Sequence, residues 1–142
     1  MRYLFFILLL FVFAHCEKFA MDRRYSLLLK NNSDSPIIYL ITENPDTSLI
    51  DSISLKPVIQ SGKSVDLWAR SVEISKVIED SLSIYLFHID TLKNNTWAEV
   101  QAGYKILKRY DLSLEDLEYL EYKLSYPPDA KMSGVKMYPP YP

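Results

Sequence analysis

Residues 81–89, SLSIYLFHI, constrain the fold more than any other stretch of the chain. Leu82, Ile84 and Leu86 fall on one face of an extended backbone and Tyr85, Phe87 and Ile89 on the other, so neither face is plainly wet. Side chains alternate across a strand, and a strand apolar on both sides belongs in the middle of a sheet. The stretches around it read as further strands. From Tyr25 onward, short apolar runs rich in tyrosine and β-branched residues are separated by clusters of Asn, Asp, Ser, Pro and Gly, which is the pattern of antiparallel strands.

YSLLLKN ends at NNSDSP, where Asn31, Asn32, Asp34 and Pro36 are turn formers, and IIYLITE follows at once. These three pieces predict a β-hairpin. NPDTSLID makes a longer loop, and SISLK alternates with Ile53 and Leu55 on one face of a half-buried strand. QSGK turns the chain into SVDLWAR. KILKRYDL and YKLSYPP read as two more strands, the second stopped by prolines that cannot donate to a ladder.

Two short helices carry start signals. Thr96 with Glu99, and Ser113 with Asp116, have capping-box spacing, in which the first side chain accepts from a free backbone amide and the fourth residue reaches back. They open TWAEVQAGY and SLEDLEYLEY, and a further helix is expected around EISKVIE. The C-terminal KMSGVKMYPPYP lacks periodicity and is expected to lie extended on the surface or loosely ordered. The whole predicts one mainly-β domain, an antiparallel β-sandwich-like fold of about six to eight strands with two or three short helices at its ends. An α+β arrangement is the alternative.

The N-terminus speaks to address. Arg2 precedes an unbroken apolar run from Tyr3 to Ala14, the form of a secretory signal and too short for the roughly 20 apolar residues of a membrane-spanning helix. The chain's sole cysteine, Cys16, stands directly after that run. In a bacterial host it is the expected lipid attachment point of a lipoprotein, with ordinary signal-peptidase cleavage near Ala14 as the alternative. The chain thus divides into a signal peptide over 1–16, a linker over 17–24, a β-rich domain over 25–128 and a Pro/Tyr-rich tail over 129–142. Export to the cell envelope follows, periplasmic or on the surface face of the outer membrane, with the membrane met through the lipid on Cys16.

Removing the signal leaves about 126 residues, enough for a core without metal or disulfide staples. With 16 basic and 18 acidic side chains, and no concentrated basic face, the chain carries no nucleic-acid footprint. Gly62, Gly103 and Gly134, its three glycines, are too scattered to cradle a phosphate, and no cofactor is expected.

Catalytic chemistry has little to stand on. His88 follows Ile84 and Leu86 in alternation, so it reads as a core or strand-edge residue rather than a base. One thiol and one domain histidine do not make a zinc site. Glu115, Asp116, Glu118 and Glu121 could form an acid–base pair, but Leu114, Leu117 and Leu120 recur at helical spacing and turn those acids to solvent. Tyr138, Tyr141 and Trp68 are the candidate binding aromatics, suited to sugar stacking or protein recognition.

Taken in order, NPDTSL, SLSIYLFHIDTL, YKILKRYDLSLEDLEYL, LSYPP and KMYPPY resemble a family of small, functionally uncharacterised exported proteins of Bacteroidetes, many of them lipoproteins. The resemblance spans nearly the whole mature chain and is most specific over Tyr104 to Leu117. Members often carry Asn-Trp where this chain has Glu121 and Tyr122. The resemblance assigns no catalytic residue and implies an envelope compartment. The expected function is a non-catalytic binding or assembly module with a protein or glycan partner; a glycan-binding accessory of polysaccharide capture is the alternative.

Overall fold

The computed structural model describes residues 26–42, 58–67 and 82–142. They form a β-rich, sandwich-like fold of two sheets with three short α-helices. The larger sheet has five strands: β2 (Ile37–Thr42), β3 (Val58–Ile59), β5 (Leu82–His88), β6 (Lys108–Leu112) and β8 (Lys136–Tyr138), in the order β3-β2-β5-β6-β8. The smaller has β1 (Leu28–Asn31), β4 (Ser64–Asp66) and β7 (Lys123–Tyr126), in the order β4-β1-β7. β5 is central, and its residues from Leu82 to Phe87 are all buried, as its two apolar faces require.

The expected hairpin between β1 and β2 does not form. β1 buries only alternate residues, whereas Ile37 to Leu40 of β2 are all buried. A strand apolar on both faces is stable only in the interior sheet, so β2 pairs with β5, and β1 goes to the sheet with one wet face. NNSDSP is therefore a corner between sheets. Asn31 builds it: its Nδ2 donates to the carbonyls of Ser35 at 2.8 Å and Ile59 at 2.9 Å, while its Oδ1 accepts from Ser33 N and Oγ. Gly62, at φ 70°, turns the chain between β3 and β4 and donates its amide to the Asn31 carbonyl at 2.7 Å.

Among the described residues every pairing is antiparallel except that of β1 with β7, which run parallel with Leu29 opposite Leu124. Parallel neighbours need a long crossover. Here most of the larger sheet lies between them in sequence.

Two apolar clusters occupy opposite faces of the larger sheet. One gathers Leu27, Leu29 and Leu124 from the smaller sheet with Ile37, Tyr39, Ile84, Leu86 and Tyr110. The second gathers Leu40, Tyr85, Phe87 and Val100, with Trp97 and Leu92 packed against it. α1 (Ile89–Asn94) and α2 (Trp97–Ala102) supply that second cover, and Trp97 meets Phe87 edge-on with ring centres 5.9 Å apart. α3 (Leu114–Tyr119) turns Leu117 inward, followed by buried Leu120, and leaves Glu115 and Glu118 in water.

Both capping boxes form. Thr96 N donates to Glu99 Oε2 at 2.8 Å while Glu99 N donates to Thr96 Oγ1 at 3.3 Å, and Ser113 and Asp116 repeat the pattern. The bonds from Thr96 amide and hydroxyl hold the Glu99 carboxyl below its ordinary pKa.

Residues 130–138, expected to be surface tail, belong to the fold. A 3-10 turn over Ala130–Gly134 buries Met132, Val135 is buried after it, and β8 pairs with β6. Two apolar side chains spaced three apart give this piece an inward face that its glycine and prolines obscure. The expected strand SISLK, the expected helix EISKVIE, Trp68, Cys16 and the N-terminal signal and linker lie outside the described residues. Among the described residues no helix is long and apolar enough to cross a membrane.

Candidate functional site

β6 alternates. Lys108, Tyr110 and Leu112 share one face, which leaves Arg109 and Asp111 on the other. The register then builds two rows across the larger sheet. Ser83, Asp111 and Lys136 lie opposite one another in one row, and Tyr85, Arg109 and Tyr138 in the next.

The first row is polar. Ser83 Oγ donates to Asp111 Oδ1 at 2.8 Å, Arg109 Nη2 lies 3.0 Å from Asp111 Oδ2, and Lys136 Nζ stands 3.8 Å from that same oxygen. In the second row the Arg109 guanidinium sits 6.0 Å from the centre of the Tyr85 ring. Its Nη1 donates to Tyr104 Oη at 2.7 Å. Tyr104, just after α2, in turn meets the Tyr138 ring edge-on, 5.0 Å centre to centre. Water access rises along the rows: Ser83 and Tyr85 are fully buried, the Arg109 side chain is 22% exposed, Tyr138 49% and the Lys136 side chain 80%.

Burial is the largest influence on the tyrosine hydroxyls. It pushes Tyr85 and Tyr104 above the usual phenol pKa although Arg109 pulls the other way, so both stay neutral. Arg109 Nε and Asp111 Oδ2 are buried without a hydrogen-bond partner, and Asp111 Oδ2 meets its cations through charge rather than a well-aligned bond. Two cations face one carboxylate here, so the cluster carries a surplus of one positive charge. What this face offers chemically is a flat, oriented ring beside an exposed ammonium group.

The candidate aromatics fare differently. Tyr138 is part of this corner. Tyr141, 36% exposed, lies beyond Pro139 and Pro140, whose carbonyls accept from Lys108 Nζ at 2.8 and 3.4 Å. Burial holds that ammonium's pKa below the usual lysine range. Trp68 and Cys16 lie outside the described residues. His88 is committed to local structure, its Nδ1 accepting from Asp90 N at 3.2 Å as the N-cap of α1. Among the described residues no group of three or more His, Cys, Asp or Glu side chains could hold a metal ion.

Sequence reasoning passed over Arg109, Asp111 and Tyr104. The signal was present in KRYDL, where a charged pair alternates with Tyr110 and Leu112 in a strand that must bury one face. Tyr104 could not be found that way, since the Arg109 contact that orients it is made through the fold.

No protein-family model, curated protein or solved structure matches the chain.

Proposed function

We propose that this chain is an exported binding module of the cell envelope, without catalytic activity, held to the membrane by a lipid on Cys16 and recognising its ligand with the outer face of β8. The observation that carries the binding reading is the chain of contacts Asp111–Arg109–Tyr104–Tyr138. A buried ion pair fixes a tyrosine, and that tyrosine orients a second ring left half exposed at the end of a strand. Orienting an aromatic in advance lowers the ordering cost of binding. The chain's only histidine in the β-rich part caps a helix, and Asp116 does the same, which commits these groups to structure.

Between protein and glycan ligands we favour the glycan, because the oriented, half-exposed Tyr138 ring offers an apolar face with polar groups beside it, whereas a protein partner would be met by a broader apolar patch. The address rests on the N-terminal signal and Cys16, and the resemblance of the mature chain to exported Bacteroidetes proteins supports it through the compartment it implies. Fatty-acid labelling of cells tests the anchor: the wild type takes up label and Cys16→Ala does not. A wild-type chain that stays unlabelled and soluble ends the lipoprotein reading. A glycan array tests the ligand class, with loss of signal in Tyr138→Ala as the expected result; an array blank for the wild type refutes the glycan reading.

A further inference from the structure

We propose that the Tyr138 face takes a carboxylated saccharide, the sugar ring stacking on Tyr138 and the carboxylate meeting Lys136; this rests on the glycan reading above and names its ligand class. Lys136 and Tyr138 are two residues apart on one strand and so project from the same face. Their backbones are about 7 Å apart, so a sugar ring lying on Tyr138 has the long Lys136 side chain within reach of a carboxylate carried on that ring, the two joined by one charge-assisted hydrogen bond of about 2.8 Å.

The charges select the acid. Asp111 is met by Arg109 at 3.0 Å and by Lys136 only at 3.8 Å, so Arg109 already neutralises the buried carboxylate. Lys136, with its side chain 80% exposed, supplies the surplus charge at the surface. An anionic ligand completes a two-cation, two-anion set, while a neutral sugar leaves the ammonium with only its weak contact to Asp111. Arg109 is turned inward, holding Tyr104 Oη, and serves as a positioning residue for the Tyr138 ring through Tyr104. A nucleic acid would require a row of cations along the surface, and the cluster presents one exposed cation.

The full chain is immobilised and titrated with oligogalacturonate, with maltohexaose as the neutral comparator and a sulfated heparin fragment as the second anion, each at low and high ionic strength. Oligogalacturonate should bind best, and salt should weaken it. Lys136→Gln should lower its affinity roughly tenfold, as loss of one ion pair to an ordered anion implies, and remove most of the salt dependence. Tyr138→Ala should abolish binding, and Tyr138→Phe should keep it. Tyr119→Ala, which removes a 65% exposed ring on α3, should change nothing. Maltohexaose binding equal to oligogalacturonate, still lost in Tyr138→Ala, overturns the acidic class and leaves the glycan reading standing. Preference for the heparin fragment, or wild-type affinity in Lys136→Gln, also overturns it. Failure of all three to bind, with a blank glycan array, removes both proposals.

Discussion

Replacing Arg109 with leucine tests how the candidate site is held. The side chain of Asp111 is 5% exposed, and Arg109 Nη2 at 3.0 Å is its nearest cation. Losing the guanidinium leaves a buried carboxylate whose remaining support is the Ser83 hydroxyl at 2.8 Å and a largely solvated Lys136 at 3.8 Å. Removing one partner of a buried pair costs about 3 to 5 kcal/mol, and the two remaining contacts place Arg109→Leu near the lower end. Asp111→Leu alone should cost a similar amount, since it strands the inward-turned Arg109, whose Nε is already without a partner. The double variant Arg109→Leu/Asp111→Leu exposes neither group to that penalty and should be more stable than either single one, by about 1 to 3 kcal/mol. Urea melts of the four proteins close the cycle. If the two single changes were mild and simply added, the pair would be a surface contact in effect, and Tyr104 and Tyr138 would not owe their orientation to it.

Three other outcomes follow from the same structure. Leu117→Ala should cost about 2 to 5 kcal/mol because the side chain is 2% exposed in the main cluster, whereas Glu118→Ala on the solvated side of α3 should stay within about half a kcal/mol; equal melting losses for the two would mean the acids of α3 are paired or buried. Asn31→Ala strips the corner of four hydrogen bonds, leaves the buried Ile59 carbonyl without that donor, and should cost about 2 to 3 kcal/mol in a thermal melt; a loss below measurement would show that the corner is held by strand pairing alone. Burial raises the pKa of Tyr85, Tyr104, Tyr110 and Tyr126, so the folded chain keeps protons that the unfolded chain gives up above about pH 10. Stability should hold below that pH and fall above it, by up to about 1.4 kcal/mol per pH unit for each such tyrosine. Lys108, with its pKa lowered by burial, works in the opposite sense and in an earlier window, adding some stability as the pH rises toward the ordinary lysine pKa of about 10.4 and leaving the tyrosine slope unopposed above it. Tyr110→Phe should flatten the alkaline slope measured by urea melts, at the cost of the hydrogen bond to the Ser125 carbonyl.

Several elements are legible in the sequence because their signals are local. The double apolar face of Leu82 to Phe87 puts that strand at the centre of a sheet, and Thr96–Glu99 and Ser113–Asp116 mark helix starts with side chains that satisfy amides three residues away. Leu117 and Leu120 turn inward for the same reason of spacing. The exposure of Tyr138 is also foreseeable from the glycine and prolines around it. Its contact with Tyr104 is not, because that contact spans from the end of α2 to β8.

Pairing partners lie beyond local reading. Backbone amides and carbonyls are chemically alike in every strand, so alternation reports which faces are apolar and is silent about which strand lies alongside. β1 and β2 adjoin across a turn-forming sequence, yet Asn31 bends the chain between sheets because β2 has two dry faces to bury and β1 has one. β1 then finds β7, nearly a hundred residues on, in parallel. The same holds for the ion pair of Arg109 and Asp111: the alternation of KRYDL puts both side chains on the face opposite Tyr110 and Leu112, and only the placement of β5 and β8 on either side of β6 turns two charges on a strand into a buried support for an exposed ring.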